Sequence, residues 1–347
     1  MRRLIFCVAF SLLGSTLSPR GQAQEKPPRP REAFKNSTAQ YDWVTNSAGQ
    51  HIRTIVTKPK GVNGKVPAIF FVGWLSCDSV EYPAGETDPF GAIFWRLIEQ
   101  SGFATMRMDK PGVGESEGNC ATTDFQTELE SYRAAFISLK KYPFLDQDSV
   151  FVIGLSNGGG TAPLIVGQQQ VRGFLAASSW GRTWYEHMLE LERVRLSQDS
   201  RTTSAQVNEA MKGFTDFYAL YLMRNKTPGE LLKEHPEWRT IWYDELEPEG
   251  QYGRPAAFYQ QLQGLNLGKV WQEVSAPVLV MHGTADTVMS RADSVAIADS
   301  VNRAHPGQAQ FFEVEGGNHA LGSHGTLAET VIPKMLEWMR KQLSMPK

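Results

Sequence analysis

The sequence has few cysteines, almost no net charge and no long apolar run, and these shortages exclude classes of function. Lys and Arg number 35 against 37 Asp and Glu, so the basic excess of a nucleic-acid binder is missing. No apolar run approaches the ~20 residues needed to cross a bilayer, so no stable membrane insertion is expected. Disorder is excluded by the opposite balance: 41% of residues are hydrophobic and 21% charged, which is ordinary globular usage.

The first residues read as a targeting segment. Arg2 and Arg3 form a positive start, Leu4 to Leu13 a short apolar stretch, and Gly21-Gln22-Ala23 a small-residue cleavage site. That is the pattern of a secretory signal peptide over residues 1–23, and it places the mature protein outside the cytoplasm, secreted or periplasmic. Cleavage would remove three arginines and no acid, leaving 324 residues with 32 basic and 37 acidic groups. Cys7 would go with the leader. Cys77 and Cys120 would remain, and in an oxidising compartment they form a candidate disulfide. Neither has a second Cys or His at ligand spacing, so no metal site is expected.

Residues 24–40 begin polar and Pro-rich and read as an N-terminal linker. From residue 41 the pattern becomes periodic. Two extended stretches flank Ser47-Ala48-Gly49-Gln50 as in a hairpin. Val66 to Val72 is a continuous apolar run, as in a strand buried on both faces. Helical content follows over Pro89 to Gln100, then a strand over Phe103 to Met108. Phe125, Leu129, Tyr132, Phe136 and Leu139 make one helix face, with Thr123 and Gln126 as its expected capping box. Ser149–Gly154, Gly173–Ser178, Pro277–Met281 and Gln310–Val314 read as strands; Asn157–Gln168, Arg291–Arg303 and Thr326–Leu343 read as helices. Such alternation predicts an α/β fold with a mostly parallel sheet flanked by helices. Residues 181–268 interrupt it. They lack strand-like runs, carry 12 aromatics, and predict a helical cap between two parts of one core, 41–180 and 269–347.

Two segments match Gly-x-Ser-x-Gly: Gly154-Leu155-Ser156-Asn157-Gly158 and Gly114-Glu115-Ser116-Glu117-Gly118. The chemistry needs the serine on a sharp strand-to-helix turn, with its hydroxyl exposed and a helix N-terminus facing the developing charge. Ser156 follows the apolar run Val150-Phe151-Val152-Ile153 and precedes small residues that let a helix pack close. Ser116 follows a loop. Ser156 is therefore the expected nucleophile and Ser116 a turn residue. The glycines at 112–118 lack the lysine of a phosphate-binding loop.

A serine hydroxyl needs a base, and the base needs an acid to hold its tautomer. With the elbow serine first, the partners are sought in the order acid, then histidine. Asp286 lies just past the strand ending at Met281, where α/β sites gather; Asp293 is its rival, inside the next helix. His319 lies in the turn Glu315-Gly316-Gly317-Asn318-His319, with His324 as its rival. His282 belongs to a strand end and reads as structural.

Taken together, the chain resembles an α/β-hydrolase of the serine aminopeptidase/esterase-like group. The resemblance covers about 41–180 and 269–345. It rests on Gly154–Gly158, on Asp109-Lys110-Pro111-Gly112-Val113-Gly114-Glu115-Ser116, on Gly283-Thr284-Ala285-Asp286 and on Gly317-Asn318-His319. It implies a Ser156–Asp286–His319 triad. Where many relatives have His-Gly after the first buried strand of the core, this chain has Val72-Gly73-Trp74. The oxyanion hole uses backbone amides, so the missing histidine need not matter. Asn157 supplies one expected donor, and Trp74 the other, with Leu75 as alternative. Cys77 and Cys120 follow the first two core strands of this region, which puts their pairing beside the pocket.

The expected function is hydrolysis of a small-molecule carboxylic ester through an acyl-enzyme, with no metal or organic cofactor. A serine exopeptidase on short peptides is the alternative, with Glu186, Glu190 or Glu192 holding a peptide amino terminus. A non-catalytic hydrolase-like binding protein is the third reading, and the complete triad that the resemblance implies argues against it.

Overall fold

Every residue of Val66–Val72 is apolar because the strand is covered on both faces. Ala68, Phe70 and Val72 face one side of the sheet, and Ile69 and Phe71 the other, as the period of two requires. These contacts are seen in a computed structural model that describes residues 31–346 except 86, 87, 199 and 244. The expected leader at 1–23 and the start of the linker lie outside the described residues.

The first part of the chain contributes β1 (Ser37–Thr45), β2 (His51–Pro59), β3 (Val66–Val72), β4 (Ala104–Met108), β5 (Leu145–Leu155) and β6 (Gly173–Ala177), with helices α1 (Pro89–Gln100), α2 (Phe125–Ser138) and α3 (Asn157–Val166). Residues 184–263 contribute α4 (Trp184–Gln198), α5 (Ser204–Met223) and α6 (Pro228–Glu234), three two-residue strands β7 (Leu246–Glu247), β8 (Gly250–Gln251) and β9 (Arg254–Pro255), and α7 (Ala256–Gln263). The chain then returns to the core through α8 (Leu267–Gln272), β10 (Val278–Gly283), α9 (Arg291–Ala304), β11 (Ala309–Val314), the short pair β12 (Gly322–Ser323) and β13 (Thr326–Leu327), and α10 (Val331–Ser344).

The main sheet has the order β1-β2-β4-β3-β5-β6-β10-β11. β1 and β2 run antiparallel, β2 meets β4 antiparallel, and the remaining pairs are parallel. The α/β expectation is met. Helices α2 and α3 cover the face of Phe70 and Val152, while α1 and α10 cover the face of Ile69 and Phe71. Among the described residues no helix is long and apolar enough to cross a membrane.

Four local expectations need correction. Residues 31–40 are not a free linker: Glu32 is buried, makes a two-point ion pair with Arg107 and accepts the Tyr82 amide, and β1 begins at Ser37. The charge pairing is between residues 75 apart, which local composition cannot announce. The α2 cap is Asp124, whose carboxylate accepts the Thr127 amide at 2.9 Å, so Thr123 donates to Asn119 O instead. Aspartate caps at least as well as threonine. The last helix starts at Val331, because Gly322 and Gly325 allow the β12–β13 hairpin before it. The insertion is not purely helical, since the turn at Tyr252-Gly253, both at positive φ, folds β8 onto β9.

Candidate active site

The strand β5 and the helix α3 meet at Ser156 in a turn that an ordinary residue resists. Ser156 has φ 54° and ψ −125°, and its amide donates to Ala177 O at 2.9 Å. Such a conformation persists only when the surroundings over-determine it. The flanking glycines do so by allowing backbones to touch. A Cβ at Gly154 would stand 2.4 Å from Gly159 Cα, and one at Gly158 would stand 2.2 Å from Gly73 O. The second contact also shows that the loop after β3 lies directly on the first turn of α3.

Ser156 Oγ lies 2.9 Å from His319 Nε2. His319 Nδ1 lies 3.0 Å from Asp286 Oδ2. The other oxygen of Asp286 accepts the amides of Val288 and Met289 at 2.8 and 2.9 Å. Burial pushes the Asp286 carboxyl up, but the His319 contact and these two amides outweigh it, and its pKa falls below the ordinary value. The three residues come from the ends of β5, β10 and β11, at the carboxyl edge of the sheet where open α/β folds place their sites. The Asp286 side chain is wholly buried and that of His319 one-fifth exposed, so the acid is shielded from water while the base between it and Ser156 reaches solvent.

A family model described as serine aminopeptidase, S33, matches residues 90–323. The chain belongs to this family. It is a serine hydrolase with the α/β-hydrolase fold. Among curated proteins, none matches its sequence. Solved structures share its fold at low identity. Est1E from Butyrivibrio proteoclasticus, bound to ferulic acid, is 16% identical with a TM-score of 0.59, covering 88% of this chain and 100% of its own. The Pyrococcus furiosus esterase PF2001 is 12% identical with a TM-score of 0.55, covering 91% and 97%. A thermophilic esterase from Thermogutta terrifontis is 17% identical with a TM-score of 0.51, covering 88% and 99%.

The hydrolase places the rival residues elsewhere. Asp293 is buried under the cap, where it accepts from Arg182 Nε at 2.9 Å and faces His187 Nδ1 at 3.1 Å. His324 is exposed in the β12–β13 hairpin. His282 Nδ1 lies 3.2 Å from Ser294 Oγ. Ser116 is a latch: its hydroxyl accepts the Arg53 amide and donates to Asp109 O, both at 2.9 Å.

Asn157 opens α3, so its amide is one of those a helix leaves without an intrahelical acceptor. Its side-chain oxygen accepts from Trp180 Nε1 at 3.2 Å. Trp74 follows the end of β3, with its ring stacked on Phe90 at 4.9 Å, and Phe90 meets the His319 ring edge-on at 5.7 Å. The Cys77 and Cys120 sulfurs lie at disulfide distance, 1.95 Å.

Sequence reasoning missed Phe90, Trp180, Tyr132 and Lys110. Tyr132 Oη accepts the Gly73 amide at 3.1 Å, and Lys110 Nζ donates to Trp74 O and Ser76 O. The signal for Lys110 was visible in the motif Asp109-Lys110-Pro111, at the end of β4. Among the described residues no cluster of His, Cys, Asp and Glu suits a metal ion.

Proposed function

We propose that the chain is an exported carboxylic-ester hydrolase that works on a small-molecule ester through Ser156, His319 and Asp286. The observation that carries this reading is the unbroken line of contacts from Asp286 through His319 to Ser156, at 3.0 and 2.9 Å, on a strained elbow. Ser156 Oγ attacks the acyl carbonyl while His319 Nε2 takes its proton. Asp286 holds the other ring nitrogen as the donor and stabilises the imidazolium. The tetrahedral oxyanion accepts from the amides of Asn157 and of Trp74 or Leu75, each donor worth about 3–4 kcal/mol. Collapse breaks the ester bond, and the alcohol leaves with the proton from His319. Water, deprotonated by His319, then releases the acid from the acyl-enzyme.

The family description favours a second reading, a serine exopeptidase on short peptides. Of the three acids expected to hold an amino terminus, Glu192 speaks against it. Glu186 accepts from Thr183, Glu190 from Arg182, and Glu192 from Tyr218, Tyr243 and Arg195. Glu192 is buried with both oxygens engaged, so an ammonium could reach it only by displacing an existing partner.

Export is supported by the leader pattern at 1–23 and by the Cys77–Cys120 pair, since disulfides persist in oxidising compartments. A fluorophosphonate probe should label Ser156 and fail on Ser156→Ala. p-Nitrophenyl esters should turn over faster than aminoacyl-p-nitroanilides. Absence of labelling would sink the enzymatic reading, and faster amide turnover would install the peptidase. Recovery of the protein only from the cytoplasm, with residues 1–23 still attached, would refute the export reading.

A further inference from the structure

Lys110 is an odd residue to bury. Its side chain is 4% exposed, and its ammonium lies between two backbone carbonyls of one loop, those of Trp74 and of Ser76, the latter at 2.8 Å. An ammonium is an obligate donor, and burying it costs several kcal/mol unless its donors are engaged. The loop it holds is the one that carries the expected second oxyanion donor. On the other side of Trp74, the Gly73 amide is fixed by Tyr132 Oη at 3.1 Å. The backbone is thus pinned immediately before and after the Trp74 amide. The Trp74 carbonyl also shares its peptide unit with the Leu75 amide, which a trans peptide points the opposite way from Lys110. Either donor therefore takes its direction from these two anchors.

We propose that Lys110 is a positioning residue for the oxyanion hole, holding the Trp74–Ser76 backbone so that an amide faces the charge developing on the substrate. The inference rests on the Ser156 reading above. The groups around the ammonium are Glu128 of α2, with an oxygen at 3.8 Å, Arg254 of β9, which is ion-paired with Glu128, and Asp78 in the loop after β3. Burial lowers the Lys110 pKa and Arg254 lowers it further, against Glu128 and Asp78, to about 8. The charged form that grips the carbonyls is therefore present below pH 8 and is lost as pH rises through that value.

The test compares wild type, Lys110→Met and Lys110→Arg between pH 6 and 10. The readouts are kcat and KM on a p-nitrophenyl ester, the inhibition constant of a trifluoromethyl ketone, and the melting temperature. The ketone forms a tetrahedral adduct on Ser156 whose oxygen is negative, so its affinity reports the hole directly. Lys110→Met should lose about tenfold to a hundredfold in kcat, the size expected for a misplaced catalytic group. Its KM should change little, and ketone affinity should fall in parallel with kcat. Lys110→Arg, whose charge does not titrate in this range, should recover most of the kcat and keep it above pH 8, where wild type declines.

A Lys110→Met enzyme with unchanged kcat, or with reduced kcat but undiminished ketone affinity, would overturn the inference. If Lys110→Met does not fold, Lys110→Gln takes its place: unchanged kcat with undiminished ketone affinity refutes the inference. Fluorophosphonate labelling separates the two levels. Ser156 labelled in wild type, with Lys110 variants indistinguishable from it, removes only this inference; an unlabelled Ser156 removes the mechanism beneath it.

Discussion

His319 Nδ1 stands 3.0 Å from Asp286 Oδ2, while Asp286 Oδ1 is held by the Val288 and Met289 amides. The carboxylate therefore has a fixed plane and presents one oxygen to one ring nitrogen. Asp286→Asn keeps the shape but offers the ring either a second donor or an oxygen taken from the loop amides. The imidazole then favours the tautomer that cannot accept the Ser156 proton. We expect kcat to fall by about 10⁴-fold with near-native folding, as for the equivalent change in a studied triad. Steady-state kinetics on purified Asp286→Asn, with circular dichroism as the folding control, checks this.

The same carboxyl makes a statement about stability. Its native pKa lies below the ordinary 3.8, because the His319 and backbone contacts outweigh burial. A group with a depressed native pKa stabilises the fold above its unfolded value and loses that contribution as pH falls through its native one. The stability advantage of wild type over Asp286→Asn should therefore be full at pH 7 and shrink below about pH 4. Urea unfolding of both proteins across that range tests the sign; an advantage that grows on acidification would contradict it.

His319→Ala should abolish turnover, and His324→Ala should leave turnover close to that of wild type, because His324 touches none of the three reacting side chains. His324 has φ 49° in an exposed hairpin and no place in the Ser156 line. Loss on His324→Ala alone would reassign the base.

Much of this site is legible in the sequence, and the reason is local. The elbow needs small residues between an apolar strand and a helix, and Val150–Ile153 followed by Gly158-Gly159-Gly160 states that in adjacent positions. Asp286 and His319 each sit a few residues past an apolar strand, so position along the chain gave their place at the sheet edge. What escaped depends on contacts between distant residues. Glu32 meets Arg107, Arg254 meets Glu128, and Lys110 meets Trp74 across 36 positions, and no periodicity encodes such pairs. The cap hid its chemistry for the same reason: Glu192 reads as an acid open to a peptide amino terminus, yet it is buried beneath the hydroxyls of Tyr218 and Tyr243 at 2.7 Å each.

Gly158→Ala should damage activity more than its single methyl suggests. The new Cβ would meet Gly73 O at 2.2 Å and Val72 O at 2.6 Å, and both are backbone atoms that cannot rotate away. Either α3 or the Trp74 loop must retreat, and both carry an expected oxyanion donor. Overpacking of this kind costs about 1–3 kcal/mol in stability. The kcat loss should exceed the loss in KM, since the donors act on the transition state. A variant with a lower melting temperature but unchanged kcat would show that the two donors move together.

The Cys77–Cys120 pair closes a segment with a sequence separation of 43, which includes α1 and β4. A cross-link of that span is expected to stabilise by about 2–4 kcal/mol, mainly through the unfolded chain. Here it has a local effect too, because Cys77 stands three residues beyond Trp74, and Arg254 donates to Cys120 O at 3.1 Å. Breaking the link frees one end of the loop while Lys110 still grips Trp74 and Ser76. The Cys77→Ala/Cys120→Ala variant should therefore unfold at lower denaturant yet keep a substantial part of its kcat. Adding Lys110→Met to it should cost more than the two changes apart, since each anchor then loses its backup. Alkylation with and without reductant, read by mass, establishes the bond; denaturation of the set, read with kcat, establishes the coupling. Strict additivity of the two changes would mean that the disulfide and Lys110 hold different parts of the loop.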